Sequence, residues 1–216
     1  MTRENICARI AEIGIIPAVR LSSGEDARFA AEAIYSSGIP IVEVTMTVPG
    51  AVAVISQLTN QNSALIVGAG TVFDVETAQQ CLDAGAAFLT TPGLDLEIVN
   101  FAVKRGTVVF PGAMTPGEVM AASKAGADFV KIFPCAQLGG PNYIEALKAP
   151  FQRVALIAAG GVNQDTARDL IRAGAVALGI GRDLIHPDAI RRRDDGWIRE
   201  LSRRYLGIVK QARSPS

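Results

Sequence analysis

The 216-residue sequence holds one histidine, one tryptophan and three cysteines, and its charges cancel at 21 basic and 21 acidic residues. Each scarcity excludes something. With His186 as the sole imidazole, a histidine-rich metal site is ruled out and triad catalysis is disfavoured. Cys7, Cys81 and Cys135 are odd in number and far apart, which fits reduced thiols in a cytoplasmic protein rather than a disulfide framework. Zero net charge leaves no electrostatic footprint for nucleic acid or an anionic membrane. No apolar run approaches the ~18 residues of a membrane span, and no basic-apolar-cleavage pattern opens the chain. What remains is a 49% hydrophobic sequence of a length that fits one α/β domain over residues 1–216.

One short phrase recurs. Ser37-Gly38-Ile39, Ala84-Gly85-Ala86, Arg105-Gly106-Thr107, Ala125-Gly126-Ala127 and Ala173-Gly174-Ala175 each close a helical stretch and precede an apolar run. A glycine just past a helix end takes the left-handed conformation without a Cβ penalty. The spacing, about twenty residues or twice that, is workable for a strand–helix unit. Eight strands are expected: Ile15–Val19, Ile41–Thr45, Leu65–Val67, Phe88–Thr90, Val108–Phe110, Phe129–Ile132, Ala155–Ala158 and Ala177–Ile180. Between them Glu25–Ser36, Val75–Ala84, Leu96–Lys104, Pro116–Ala125 and Thr166–Ala173 have helical apolar spacing, with Ser23, Asp74, Asp95, Thr115 and Asn163 as N-cap candidates. This alternation predicts a (β/α)₈ TIM barrel. The alternative is an open doubly wound sheet, but no Gly-x-Gly-x-x-Gly signature follows the first strand. After Arg191-Arg192-Arg193, expected to be solvated surface, Trp197–Arg213 reads as an amphipathic final helix.

In such a barrel the site lies at the C-terminal strand ends. Lys131 sits inside the apolar run Phe129–Ile132, whereas Lys104, Lys124, Lys148 and Lys210 lie in polar contexts and read as solvated surface. Burial disfavours the ammonium and favours a neutral, nucleophilic amine able to form Schiff bases with carbonyls. The alternative is a strand-end lysine paired with a carboxylate or reaching to water. Glu43, inside Val42-Glu43-Val44-Thr45, is a candidate proton carrier, or else a counter-charge for Lys131 or Arg20. The glycines Gly160-Gly161 and Gly179-Ile180-Gly181-Arg182 end the last two strands, where such barrels bind phosphate. Tight turns are the alternative for each loop taken singly.

The motifs Glu43–Pro49, Val67–Val72, Thr91-Pro92-Gly93, Phe110–Pro116, Lys131-Ile132-Phe133-Pro134 and Gly160-Gly161-Val162, in that order from about Ile15 to Leu184, resemble the 2-keto-3-deoxy-6-phosphogluconate (KDPG) aldolase family. That family includes 4-hydroxy-2-oxoglutarate (KHG) and phosphogalactonate-specific aldolases. The resemblance implies a class I aldolase, cofactor-free and metal-free, usually a homotrimer. Such an enzyme cleaves a 2-keto-3-deoxy acid, a small-molecule substrate, to pyruvate and an aldehyde. It makes Lys131 the Schiff-base lysine and Glu43 the acid/base, acting directly or through a water. Thr71, Pro92 and Phe133 would line the pyruvyl pocket. Where some members carry a carboxylate-binding arginine this sequence has Thr47, which passes the role to Arg20. The family's Thr-Gly-Gly phosphate loop reads Ala159-Gly160-Gly161, and its usual serine after Gly181 is Arg182. A phosphosugar isomerase or epimerase barrel and a silent phosphometabolite-binding barrel are the competing readings.

Overall fold

The computed structural model describes residues 1–214. The strands β1 (Ile15–Val19), β2 (Ile41–Thr45), β3 (Ile66–Gly70), β4 (Phe88–Thr90), β5 (Val108–Phe110), β6 (Gly112–Ala113), β7 (Val130–Ile132), β8 (Leu156–Ala159) and β9 (Ala175–Ile180) form one parallel sheet. Its order is β5-β4-β3-β2-β1-β9-β8-β7-β6. The two ends of that order, β5 and β6, are halves of one segment split at Pro111, which has no N–H to give a ladder. The Asp128 N–H donates to Val109 O at 3.0 Å and the Lys131 N–H to Pro111 O at 2.9 Å, closing the ring. The sheet is therefore the expected eight-stranded barrel, with one strand interrupted.

The helices α2 (Gly24–Ser36), α3 (Ala51–Gln61), α4 (Val75–Asp83), α5 (Leu96–Lys104), α6 (Pro116–Lys124), α7 (Pro141–Lys148), α8 (Gln164–Arg172), α9 (Pro187–Arg191) and α10 (Asp195–Arg213) cover the barrel. Ser23, Asp74, Asp95, Thr115 and Asn163 each accept an N–H of the first turn of the helix that follows, as their position in the sequence predicts. The five recurring glycines all have positive φ. No helix among the described residues is long and apolar enough to cross a membrane.

Strand periodicity sorts the apolar residues into two cores. Outward-facing Val42, Val44, Val67, Ala69, Leu89, Val109 and Ile132 pack beneath the helices. Inward-facing Ile16, Ile41, Ile66, Phe88, Val108, Phe110, Phe129 and Ile157 fill the barrel floor. The same alternation puts Glu43 above Ile41, Thr90 above Phe88 and Lys131 above Phe129, on the inner face.

Two sequence expectations need correction, and two further features went unread. The third strand runs to Gly70 rather than Val67, because Gly68 and Gly70 carry ladder pairings with Glu43 and Thr45. A helix outside the repeat, α1 (Arg3–Ile13), plugs the barrel floor with Ile6 and Ile10. Its Arg3 Nε meets Asp128 Oδ1 at 2.7 Å, while Asp128 Oδ2 accepts the Val109 N–H at 3.0 Å. Lys148 is not a solvated lysine: its Nζ donates to Phe151 O, Gln152 O and Val154 O at 3.4, 2.8 and 3.0 Å. Arg193 is exposed, as expected of the arginine cluster, but it is not unpaired. It pairs with Glu25 at 2.5 Å and Asp26 at 3.2 Å, with its guanidinium carbon 4.9 Å from the Phe29 ring centre.

Ile10 is fully buried beneath the barrel. Truncation there leaves a cavity that α1 must sink to fill, so Ile10→Ala should lower stability by about 2–5 kcal/mol in denaturant unfolding. A loss under about 0.5 kcal/mol would show that α1 only rests on the floor.

Candidate active site

One cavity of about 220 Å³ opens at the C-terminal ends of the strands, and its wall includes Arg20, Glu43, Thr71, Pro92, Lys131, Phe133, Gly160, Gly161, Gly181 and Arg182. Every residue singled out from the sequence for a site thus borders the same space. Sequence reading did not single out Ile16, Ala18, Ile157 and Asp183, which also line it. Most were legible as the next inward position on their strands; Asp183 lies past the last strand and carried no such signal.

Lys131 is 8% exposed and Glu43 6%. The Lys131 Nζ donates to Thr90 Oγ1 at 2.5 Å and lies 5.7 Å from the centre of the Phe133 ring. Neither Lys131 nor Glu43 takes part in an ion pair among the described residues, so the paired-lysine alternative finds no carboxylate in direct contact. Burial pushes the Lys131 amine below its ordinary value; the charge of Glu43 opposes this and that of Arg20 reinforces it. Burial likewise raises the Glu43 carboxyl, against the attraction of Lys131 and Arg20. Desolvation leads in both, so the resting pair tends towards amine plus carboxylic acid. That combination offers a carbonyl substrate a nucleophile and a proton within one water-poor pocket.

The glycines of β3 make room for this pair. A Cβ built on Gly70 would stand 2.0 Å from Glu43 Oε1, so the carboxyl lies against bare backbone. At the rim, Arg20 donates to Thr71 Oγ1 at 3.0 Å and to Thr47 Oγ1 at 3.4 Å. Thr47 is held in turn by Thr45, hydroxyl to hydroxyl at 2.7 Å. Thr71 has φ 61°, a conformation costly for a β-branched residue, and it brings the hydroxyl to Arg20 at the cavity wall. At the end of β8, Gly160 and Gly161 have φ 84° and 79° and precede α8; a Cβ on Gly161 would meet the Ala136 Cβ at 2.4 Å. Their backbone, the exposed Arg182 and Gly181 make one end of the cavity polar and cationic, with the Asp183 carboxylate beside them. Among the described residues no group of three or more His, Cys, Asp or Glu side chains gathers as a metal-binding cluster.

The model of the KDPG and KHG aldolase family matches residues 6–201. A 2-dehydro-3-deoxy-phosphogluconate aldolase of Treponema pallidum is 31% identical over 91% of this chain and 94% of its own. A 2-dehydro-3-deoxy-6-phosphogalactonate aldolase of Escherichia coli is 34% identical over 70% of this chain and 75% of its own. Among solved structures, the KDPG aldolase of Legionella pneumophila, with pyruvate captured at low pH as a covalent carbinolamine intermediate, superposes with a TM-score of 0.84. It is 29% identical and the match covers 91% of this chain and 96% of that one.

Gly70→Ala tests the packing of the pair. The new methyl must drive the Glu43 carboxyl towards the open cavity, where it regains water, so its pKa should fall towards the ordinary glutamate value. Carbon-13 NMR of labelled glutamate, read across pH, checks this. An unchanged Glu43 titration would mean that Gly70 does not hold the carboxyl in its dry position.

Proposed function

Since the chain belongs to the KDPG and KHG aldolase family, we propose that it is a class I aldolase converting 2-keto-3-deoxy-6-phosphogluconate to pyruvate and glyceraldehyde 3-phosphate through a Schiff base on Lys131. The observation that carries this reading is a buried amine with no carboxylate in direct contact among the described residues, its charged form disfavoured by burial, in the cavity that Glu43 also lines. The aldehyde-lyase activity is that of the family.

The chemistry closes with a single proton on Glu43. Neutral Lys131 adds to the C2 ketone, its nitrogen proton passing to the former carbonyl oxygen to give a carbinolamine. Glu43, as the acid, protonates the departing hydroxyl; water leaves and an iminium forms. The resulting carboxylate takes the C4 hydroxyl proton, the C3–C4 bond breaks towards the iminium, and the aldehyde departs from a neutral enamine. Glu43 returns the proton to C3. Water then adds to the iminium and yields its proton to Glu43, and collapse of the carbinolamine frees pyruvate and the amine. The nitrogen acts as electron sink throughout.

Binding follows from the ends of the cavity. Arg20, oriented by Thr47 and Thr71, is the partner for the substrate carboxylate, and Thr71, Pro92 and Phe133 surround the pyruvyl carbons. Gly160, Gly161, Gly181 and Arg182 receive the phosphate. A second reading, 4-hydroxy-2-oxoglutarate cleavage, is favoured by Asp183: its carboxylate lines the same end and repels a phosphate dianion. The proposal further takes the protein as a cytoplasmic homotrimer, its cysteines free.

A pyruvate-release assay tests the proposal. Wild type should cleave 2-keto-3-deoxy-6-phosphogluconate faster than 4-hydroxy-2-oxoglutarate. Lys131→Met should abolish turnover, and Glu43→Gln should lower it about 10²-fold or more. Preference for the unphosphorylated acid would select the second reading. Turnover surviving in Lys131→Met would refute the Schiff-base route, as an isomerase or epimerase barrel requires.

A further inference from the structure

Thr90 stands behind Lys131 rather than in front of it. Its side chain is fully buried on the inner face of β4, and it is absent from the cavity wall. The sequence offered no reason to single it out, because nothing local shows that β4 and β7 will flank the same strand, β5/β6, and bring these two side chains together. Its hydroxyl nonetheless makes the direct contact with the reactive nitrogen, 2.5 Å from Nζ, and is the one hydrogen-bond partner of that atom among the described residues. The other hydroxyl near the site, Thr71, is engaged with Arg20.

We infer that Thr90 is a positioning residue for the Schiff-base nitrogen, accepting its remaining N–H at every covalent stage and thereby aiming the nitrogen at the substrate carbonyl. This rests on the aldolase reading above. The reasoning is one of counting hydrogens. A neutral lysine amine has two N–H bonds and one lone pair; giving one N–H to Thr90 leaves the lone pair free to attack. After addition and proton transfer the nitrogen keeps a single hydrogen in the carbinolamine, the iminium and the enamine alike. A fixed acceptor behind the nitrogen can hold that hydrogen through the whole sequence. An acceptor gains most when the donor is charged, so the contact is strongest in the protonated iminium, the species that draws electrons from the C3–C4 bond. Thr90 cannot touch the substrate from its place in the wall, which is why its influence must pass through Lys131.

Thr90→Val removes the acceptor at nearly constant volume in a fully buried position, and Thr90→Ser restores it without the methyl. The readout is the rate at which borohydride traps pyruvate on Lys131, with kcat and KM measured alongside. Thr90→Val should slow trapping and kcat by about tenfold or more with little change in KM, while Thr90→Ser stays within about threefold of wild type. The Thr90→Val deficit should also deepen as pH rises, since a less stabilised iminium loses its proton sooner. Trapping by Thr90→Val at the wild-type rate would overturn the inference, and so would equal losses in Val and Ser variants, which would make the methyl packing the cause. Failure of the wild type itself to be trapped at Lys131 would instead overturn the aldolase reading, so the two failures are distinguishable.

Discussion

Desolvation of one primary amine inside a closed parallel barrel is the constraint on which the remaining features of this site depend. A charged lysine in that position costs several kcal/mol unless it is paired, and among the described residues Lys131 has no ion pair. The amine is therefore held towards its neutral form by its surroundings. The barrel floor of Phe88, Phe110 and Phe129 provides those surroundings, with ring centres 5.0 and 5.9 Å apart in successive pairs. α1 seals the same floor from below with Ile6 and Ile10. Stability and reactivity thus draw on one set of apolar residues.

The carboxyl of Glu43 obeys the same physics with the opposite sign. Burial raises it above the ordinary glutamate range, against the attraction of Lys131 and Arg20. Both shifts favour the uncharged forms, which avoid the cost of a buried ion pair and supply a nucleophile and a transferable proton. Polar contacts gather at the rim: Arg20 holds Thr47 and Thr71 after β1, and Gly181 and Arg182 follow β9, the strand hydrogen-bonded to β1. An anionic substrate is complementary to that cationic rim, its reacting carbons lying in the dry centre.

Much of this was legible in the sequence because the barrel is built from repeated local rules. The five N-caps and the five left-handed glycines follow from backbone chemistry within a few residues, and both sets are where the pattern puts them. Lys131 and Glu43 stood out as ionisable residues inside apolar strands. What escaped the sequence depends on contacts between distant segments. Gly68 and Gly70 looked like a loop, yet they are strand positions emptied for the Phe88 ring and the Glu43 carboxyl. Lys148 looked solvated, yet the turn after α7 folds three carbonyls onto it. Thr90 becomes meaningful only once the ring closes and β4 and β7 flank the β5/β6 segment. α1 was missed because it lies outside the repeat, although Thr2 and Gly14 mark its two ends.

The central claim is that burial, not a charged partner, sets the state of Lys131. The most direct test is a pH titration of the ligand-free protein with carbon-13 at the lysine ε-position, the Lys131 resonance being assigned by its loss in Lys131→Met. Lysine ordinarily titrates near ~10.4. Here the Lys131 resonance should titrate clearly below that value. A Lys131 midpoint at or above the ordinary value would show that the charged form is the stabilised one and would contradict the account.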